Sequence, residues 1–141
     1  MIKHTLSRFL EAQENSYETA LAEIRSGQKR SHWMWFIFPQ IAGLGQSEFS
    51  KFYAIKDLDE ARSYLAHKIL GSRLREICQA LLDLNQNNPL RIFGFPDDRK
   101  LQSSMTLFRQ LDEPGGIFEQ VLEKFFHGEQ DEKTLILLQR N

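Results

Sequence analysis

An all-α fold is what this chain predicts, on three observations. Apolar residues recur at spacings of three and four along most of its length, which sets them on one face of a helix. Helix-capping residues stand ahead of these runs at Ser16, Ser47, Asp57 and Asp97. The connections between runs are short, as in compact helical domains. Together they predict about seven or eight short helices, with no sheet beyond a token pair. A single domain is expected to span residues 1–141.

Leu6, Phe9, Leu10 and Gln13 share a helical face, with Thr5 as N-cap. Ser16 caps a second helix that turns Tyr17, Ala20, Leu21 and Ile24 inward. Gly27 stands where a helix end favours a left-handed residue. The polar residues 28–31 lead into His32-Trp33-Met34-Trp35-Phe36-Ile37-Phe38-Pro39-Gln40. Short apolar runs do not declare their period, and Pro39 pushes Phe38 toward extended backbone. Irregular buried chain or a single helical turn is expected there.

Residues 43–47 form a loop, and Ser47 caps a short helix reaching Tyr53. Asp57 and Glu60 suit a capping box that opens a helix to about His67. The clearest helix carries Leu70, Leu74, Ile77, Leu81 and Leu84, and residues 85–89 end it. Residues 90–93 read as one turn closed by Gly94. Asp97 then caps a helix facing inward through Leu101, Met105, Phe108 and Leu111. After a break at residues 113–116, Phe118, Val121, Leu122 and Phe125 form a helix ended by Gly128. Asp131 starts a last one through Leu138. Leu74, Ile77, Leu81, Met105, Phe108, Val121 and Phe125 are expected to be buried together.

The charge balance narrows the function. Eighteen basic and nineteen acidic residues leave a net charge of −1. Such a chain has no general pull on nucleic-acid phosphates and no polybasic membrane anchor, so nucleic acid is the least favoured partner. Its longest apolar run, residues 33–38, is far short of the roughly 20 residues of a membrane span. Residues 1–5 turn polar before a signal peptide's apolar region forms, so none is expected. The one cysteine, Cys78, permits no internal disulfide and fits a reducing compartment. A cytoplasmic location is expected.

Metal and cofactor motifs are not apparent. His4, His32, His67 and His127 lie far apart, and with one cysteine no structural zinc site is expected. No nucleophile elbow, Walker loop or kinase signature occurs. Cys78 sits beside Ile77 near an apolar stripe and reads as a buried, inert thiol.

Three stretches remain. In Gly43-Leu44-Gly45-Gln46-Ser47, two glycines let backbone N–H groups turn inward ahead of a helix, an arrangement that can cradle a phosphate. Lacking a third glycine, the loop also reads as a plain turn that delivers Ser47 as N-cap. Trp33, Trp35, Phe36 and Phe38 read first as core. With Lys29, Arg30 and His32 before them and Gln40 after, they also suit a stacking wall. In residues 94–108, capping and the helix dipole account for Asp97 and Asp98. Ser103, Ser104 and Thr106 lower helix propensity, and so serve either close packing or a ligand.

These same stretches carry a resemblance. Residues 30–40, with Gly43-Leu44-Gly45 and Ser47, resemble a family called domain of unknown function 1810, some of whose members are labelled calpastatin-like. The likeness continues through Tyr64-Leu65-Ala66-His67, Leu70-Gly71-Ser72-Arg73-Leu74, Phe93-Gly94, Asp97, Lys100 and residues 103–108. One departure is Lys68, where the family usually has proline. The resemblance implies a compact all-helical fold and no particular reaction. Calpastatin's inhibitory segments are disordered and polar, unlike this aromatic-rich amphipathic chain, so that label carries no functional expectation.

The polar residues of these motifs are not needed by a helical core, which points to a small-molecule site, binding or catalytic. Lys29 and Arg30 follow a helix end and fit solvated loop charges. Charge beside a dense aromatic run, however, is costly unless it is paired or faces a polar cavity. Arg30, His32, Trp33, Gln40, Ser47, Asp97, Lys100 and Ser104 are therefore expected around one cleft. Arg30, His32 and Lys100 would hold an anion, Trp33 would stack, and Asp97 or His32 would move a proton. A phosphorylated or nucleotide-like ligand suits that mixture. The alternative is a protein-interaction module whose exposed aromatic patch meets a partner.

Overall fold

The computed structural model describes residues 6–140, so the expected cap Thr5 lies outside the described residues. Among the described residues ten helices follow one another: α1 (Ser7–Glu14), α2 (Tyr17–Ser26), α3 (Met34–Ile37), α4 (Glu48–Phe52), α5 (Leu58–Ala66), α6 (Leu70–Leu82), α7 (Pro89–Phe93), α8 (Asp97–Arg109), α9 (Ile117–Phe126) and α10 (Glu132–Gln139). The surplus over eight lies in α3 and α7, pieces of four and five residues expected at most as single turns. No strand occurs among the described residues. A parallel bridge joins Ile41 to Ile55.

Local chemistry sets most of the boundaries. The side chains of Ser47, Asp57 and Asp131 accept from the backbone N–H three residues on, as N-caps do. Gly27 closes α2 in the left-handed region, with φ of 86°. Asp97 is a correction: α8 begins at Asp97 itself, behind Pro96, and no side-chain cap bond forms. Ser16 likewise precedes α2 without a side-chain bond. The stretch with Lys68 still turns sharply, because the His67 ring nitrogen Nδ1 accepts from the N–H groups of Ile69 and Leu70.

Glu60 does not complete a reciprocal capping box. Its buried carboxylate accepts from the Lys56 N–H at 2.7 Å and pairs with Arg8 at 3.1 Å. Arg8 also donates to the Phe52 and Ala54 carbonyls. The segment between α4 and α5 is thereby tied down onto α1.

The core sits where α6, α8 and α9 pack, with α2 and α5 against α6. Leu74, Ile77, Leu81, Met105, Phe108, Val121 and Phe125 are all buried in one cluster. Cys78 lies within it, and burial pushes its thiol well above the ordinary range. A buried neutral thiol is no nucleophile.

Gly71 permits the close approach of α5 and α6. A Cβ there would lie 2.0 Å from the Leu65 carbonyl oxygen, so the backbone itself would have to move. Gly71→Ala is expected to cost about 1–3 kcal/mol, read as a lower urea midpoint at unchanged slope. An unchanged midpoint would show that the two helices separate freely.

Candidate functional site

The two tryptophans of the aromatic run have different fates. Trp33 is 1 % exposed, and its indole N–H donates to Glu23 Oε1 at 2.9 Å. Trp35 is half-buried and packs against Phe49, ring centres 5.0 Å apart. Trp33 is therefore core and presents no face to a ligand. That corrects the expected stacking role.

Glu23 of α2 organises the turn that follows. It accepts from the N–H groups of Arg30 and Ser31, from the Ser31 hydroxyl and from Trp33. Burial alone would raise its pKa. These four hydrogen bonds outweigh that and hold it down at about 2.

Lys29 is not a solvated loop charge. Its side chain is 8 % exposed, and Nζ lies 2.9 Å from Asp97 Oδ2. The same ammonium donates to the Ser31 carbonyl and lies 5.1 Å from the Trp33 ring centre. The other oxygen of Asp97 is 3.4 Å from Lys100 Nζ, which lies 5.2 Å from the Trp35 ring centre. Each lysine is thus held between Asp97 and a tryptophan face. With both oxygens engaged by ammonium groups, Asp97 anchors charge.

Past Lys100 the surface opens into two adjoining compartments. The inner one, about 130 Å³, is walled by Trp35, Ile41, Leu44 and Tyr53, with Lys51 beside them. The outer one, about 210 Å³, is lined by Pro96, Arg99, Lys100, Ser103, Asp131 and Lys133. Gln40, Leu44, Gly45 and Ser50 belong to both and form the waist. Gly45 is needed there, because a Cβ would lie 2.5 Å from the Ser50 side chain.

The lining is strongly cationic. Among the described residues, Lys51, Arg99 and Lys133 have no carboxylate partner. The lining's one carboxylate, Asp131, N-caps α10 through Oδ2. The backbone N–H groups of Leu44 and Gly45 donate to no acceptor among the described residues.

Of the eight residues expected around one cleft, Gln40 and Lys100 line it, and Asp97 holds Lys100 in place. Ser47 is exposed and caps α4 outside both compartments. Arg30 and His32 are exposed and line neither. Ser104 is fully buried in the interior. The adjacent Ser103 faces the cleft instead, its hydroxyl donating to the Arg99 carbonyl at 3.2 Å. Thr106 serves packing, accepting the Asp131 N–H at 2.8 Å and so docking α10. Trp35 and Ser103, weighed for a stacking wall and a ligand but outside the eight, line the cleft, and Lys51, Tyr53, Arg99 and Lys133 do so with no signal in the sequence.

Among the described residues, no three His, Cys, Asp or Glu side chains stand close enough to hold a metal ion. No helix among them is long and apolar enough to cross a membrane.

Residues 3–138 match the family described as protein of unknown function DUF1810. The chain belongs to this family. A crystal structure of the conserved hypothetical protein Rv1873 from Mycobacterium tuberculosis is similar, with 43 % sequence identity and a TM-score of 0.92. The alignment covers 95 % of this chain and 96 % of that one. No curated protein matches. The all-helical fold implied by the resemblance to DUF1810 is therefore this chain's fold.

Proposed function

We propose that the cleft between the 40–51 segment and α8 binds a small phosphorylated ligand of nucleotide-like class. One observation carries this reading. A chain of net charge −1 gathers Lys51, Arg99 and Lys133, none with a carboxylate partner, beside Lys100 around a concavity lined by one carboxylate, Asp131. Unneutralised cations of this kind repel one another, and an anion relieves the repulsion while gaining charge-assisted hydrogen bonds. Lys100 is held ready by Asp97 and Trp35, so little side-chain freedom is lost when a phosphate arrives.

The test is a thermal-shift panel of nucleotides and phosphorylated metabolites. A ligand at a hundred times its dissociation constant adds about 2.7 kcal/mol of stability. Lys100→Ala and Arg99→Ala should each abolish the shift with the unliganded melting temperature nearly unchanged, while Arg30→Ala retains it. Loss of the shift in Arg30→Ala alone would place the ligand elsewhere.

Phe49 and Phe52 favour a competing reading. At 57 % and 59 % exposed, they offer an apolar patch on α4 to a protein partner. That reading predicts no shift from any phosphorylated compound, and partner binding that is lost in Phe52→Ser.

A further inference from the structure

We infer that the ligand lies ring-inward: a nucleotide base fills the inner compartment, its phosphate remains in the outer one, and Gln40 reads the edge of the base. This rests on the binding reading above and adds an orientation and a specificity residue to it.

The two compartments differ in kind. Trp35, Ile41 and Tyr53 wall the inner one with a single cation, Lys51, beside them, whereas three cations, Arg99, Lys100 and Lys133, gather in the outer one. A ligand with one flat, weakly polar end and one charged end gains most by placing its charge outside. At about 130 Å³ the inner space falls well below the roughly 300 Å³ at which small-molecule sites begin. It takes a single ring system and leaves the rest of the ligand outward.

Gln40 stands at the waist, half-buried, and its side-chain amide meets no hydrogen-bond partner among the described residues. Its backbone is fixed, since its carbonyl accepts the Ile55 N–H at 2.8 Å beside the Ile41–Ile55 bridge. A primary amide offers an acceptor and two donors side by side. A phosphate uses only the NH₂ donors and leaves the amide oxygen unmatched. A base edge that carries a donor next to an acceptor uses both, as in the pairing of glutamine with adenine. A polar group built to meet such an edge also discriminates against ligands that lack one.

Calorimetric titration of the full chain with the four nucleoside 5′-monophosphates, ribose 5-phosphate and inorganic phosphate tests this. At least one nucleotide should bind about tenfold or more tightly than ribose 5-phosphate. Gln40→Leu should bring the four nucleotides to within about threefold of one another, with ribose 5-phosphate unchanged. Gln40→Met, of similar length but with neither amide donor nor amide acceptor, should level them similarly, so a misfolded Leu variant does not remove the test. Ribose 5-phosphate binding as tightly as the best nucleotide would overturn the inference and leave the binding reading standing. Nucleotide preference surviving in both variants would overturn the role of Gln40. If no phosphorylated compound binds at all, the binding reading falls and this inference with it.

Discussion

Phe108→Ala should cost about 3–5 kcal/mol, a large share of the roughly 5–15 kcal/mol that a domain of this kind possesses. Phe108 is 0 % exposed, and its ring sits 5.5 Å from that of Tyr64 and 5.7 Å from that of Phe118. Those partners come from α5 and α9, so one side chain of α8 joins three helices. Truncation removes the ring's dispersion contacts with both neighbours and leaves a void between helices that other side chains hold apart. Collapse around the void is hindered, because Tyr64 is itself fixed by the Gln13 amide at 3.0 Å. The measurement is a urea titration, in which the midpoint should fall steeply at unchanged slope. A midpoint equal to that of the parent would mean that this face of α8 is not the core face.

Legibility followed the range of the interaction. The inward faces of α6, α8 and α9 could be read because a run of ten or more residues displays the helical period several times. The caps at Ser47, Asp57 and Asp131 could be read because donor and acceptor lie three residues apart. In α3 the run is a single turn, too short to show a phase, so nothing separated buried Trp33 from half-buried Trp35. Ser103 and Ser104 drew the same argument from hydroxyls in a helix, although adjacent positions point in different directions. Asp97 was misread for a related reason. Its local alternative, capping, lost to two lysines, one of them reached only through the fold. Lys51 and Lys133 come from different segments, and only packing of α10 against α8 through Thr106 brings the second into the cleft. The principle that charge beside aromatic residues must be paired did hold, but for Lys29 rather than for Arg30.

Glu23→Ala should rival Phe108→Ala, through polar rather than apolar loss. Glu23 is 8 % exposed and collects three N–H groups and one hydroxyl. Removing the carboxylate leaves the Trp33 indole N–H buried without its acceptor and the N–H groups of Arg30 and Ser31 partly so. Unsatisfied buried donors cost about 1–3 kcal/mol each, and loss of one partner from a buried charged network costs about 3–5 kcal/mol. Glu23→Gln is the milder variant: its amide oxygen can still accept, and its NH₂ can donate to the Ser31 hydroxyl, so only the charge assistance is lost. The pH dependence separates the two effects. The folded pKa of about 2 lies below the ordinary value of 4.5, so the folded state favours the ionised form. The resulting stabilisation is fully present above pH 4.5 and is lost as pH falls toward 2. Glu23→Gln has no such group to titrate. The stability gap between wild type and Glu23→Gln should therefore be constant from pH 7 to about 5 and close progressively below that, followed by urea titration at each pH. A gap that stays constant down to pH 3 would mean that the carboxylate is no better stabilised in the fold than in water, and the turn carrying Lys29 would need another anchor.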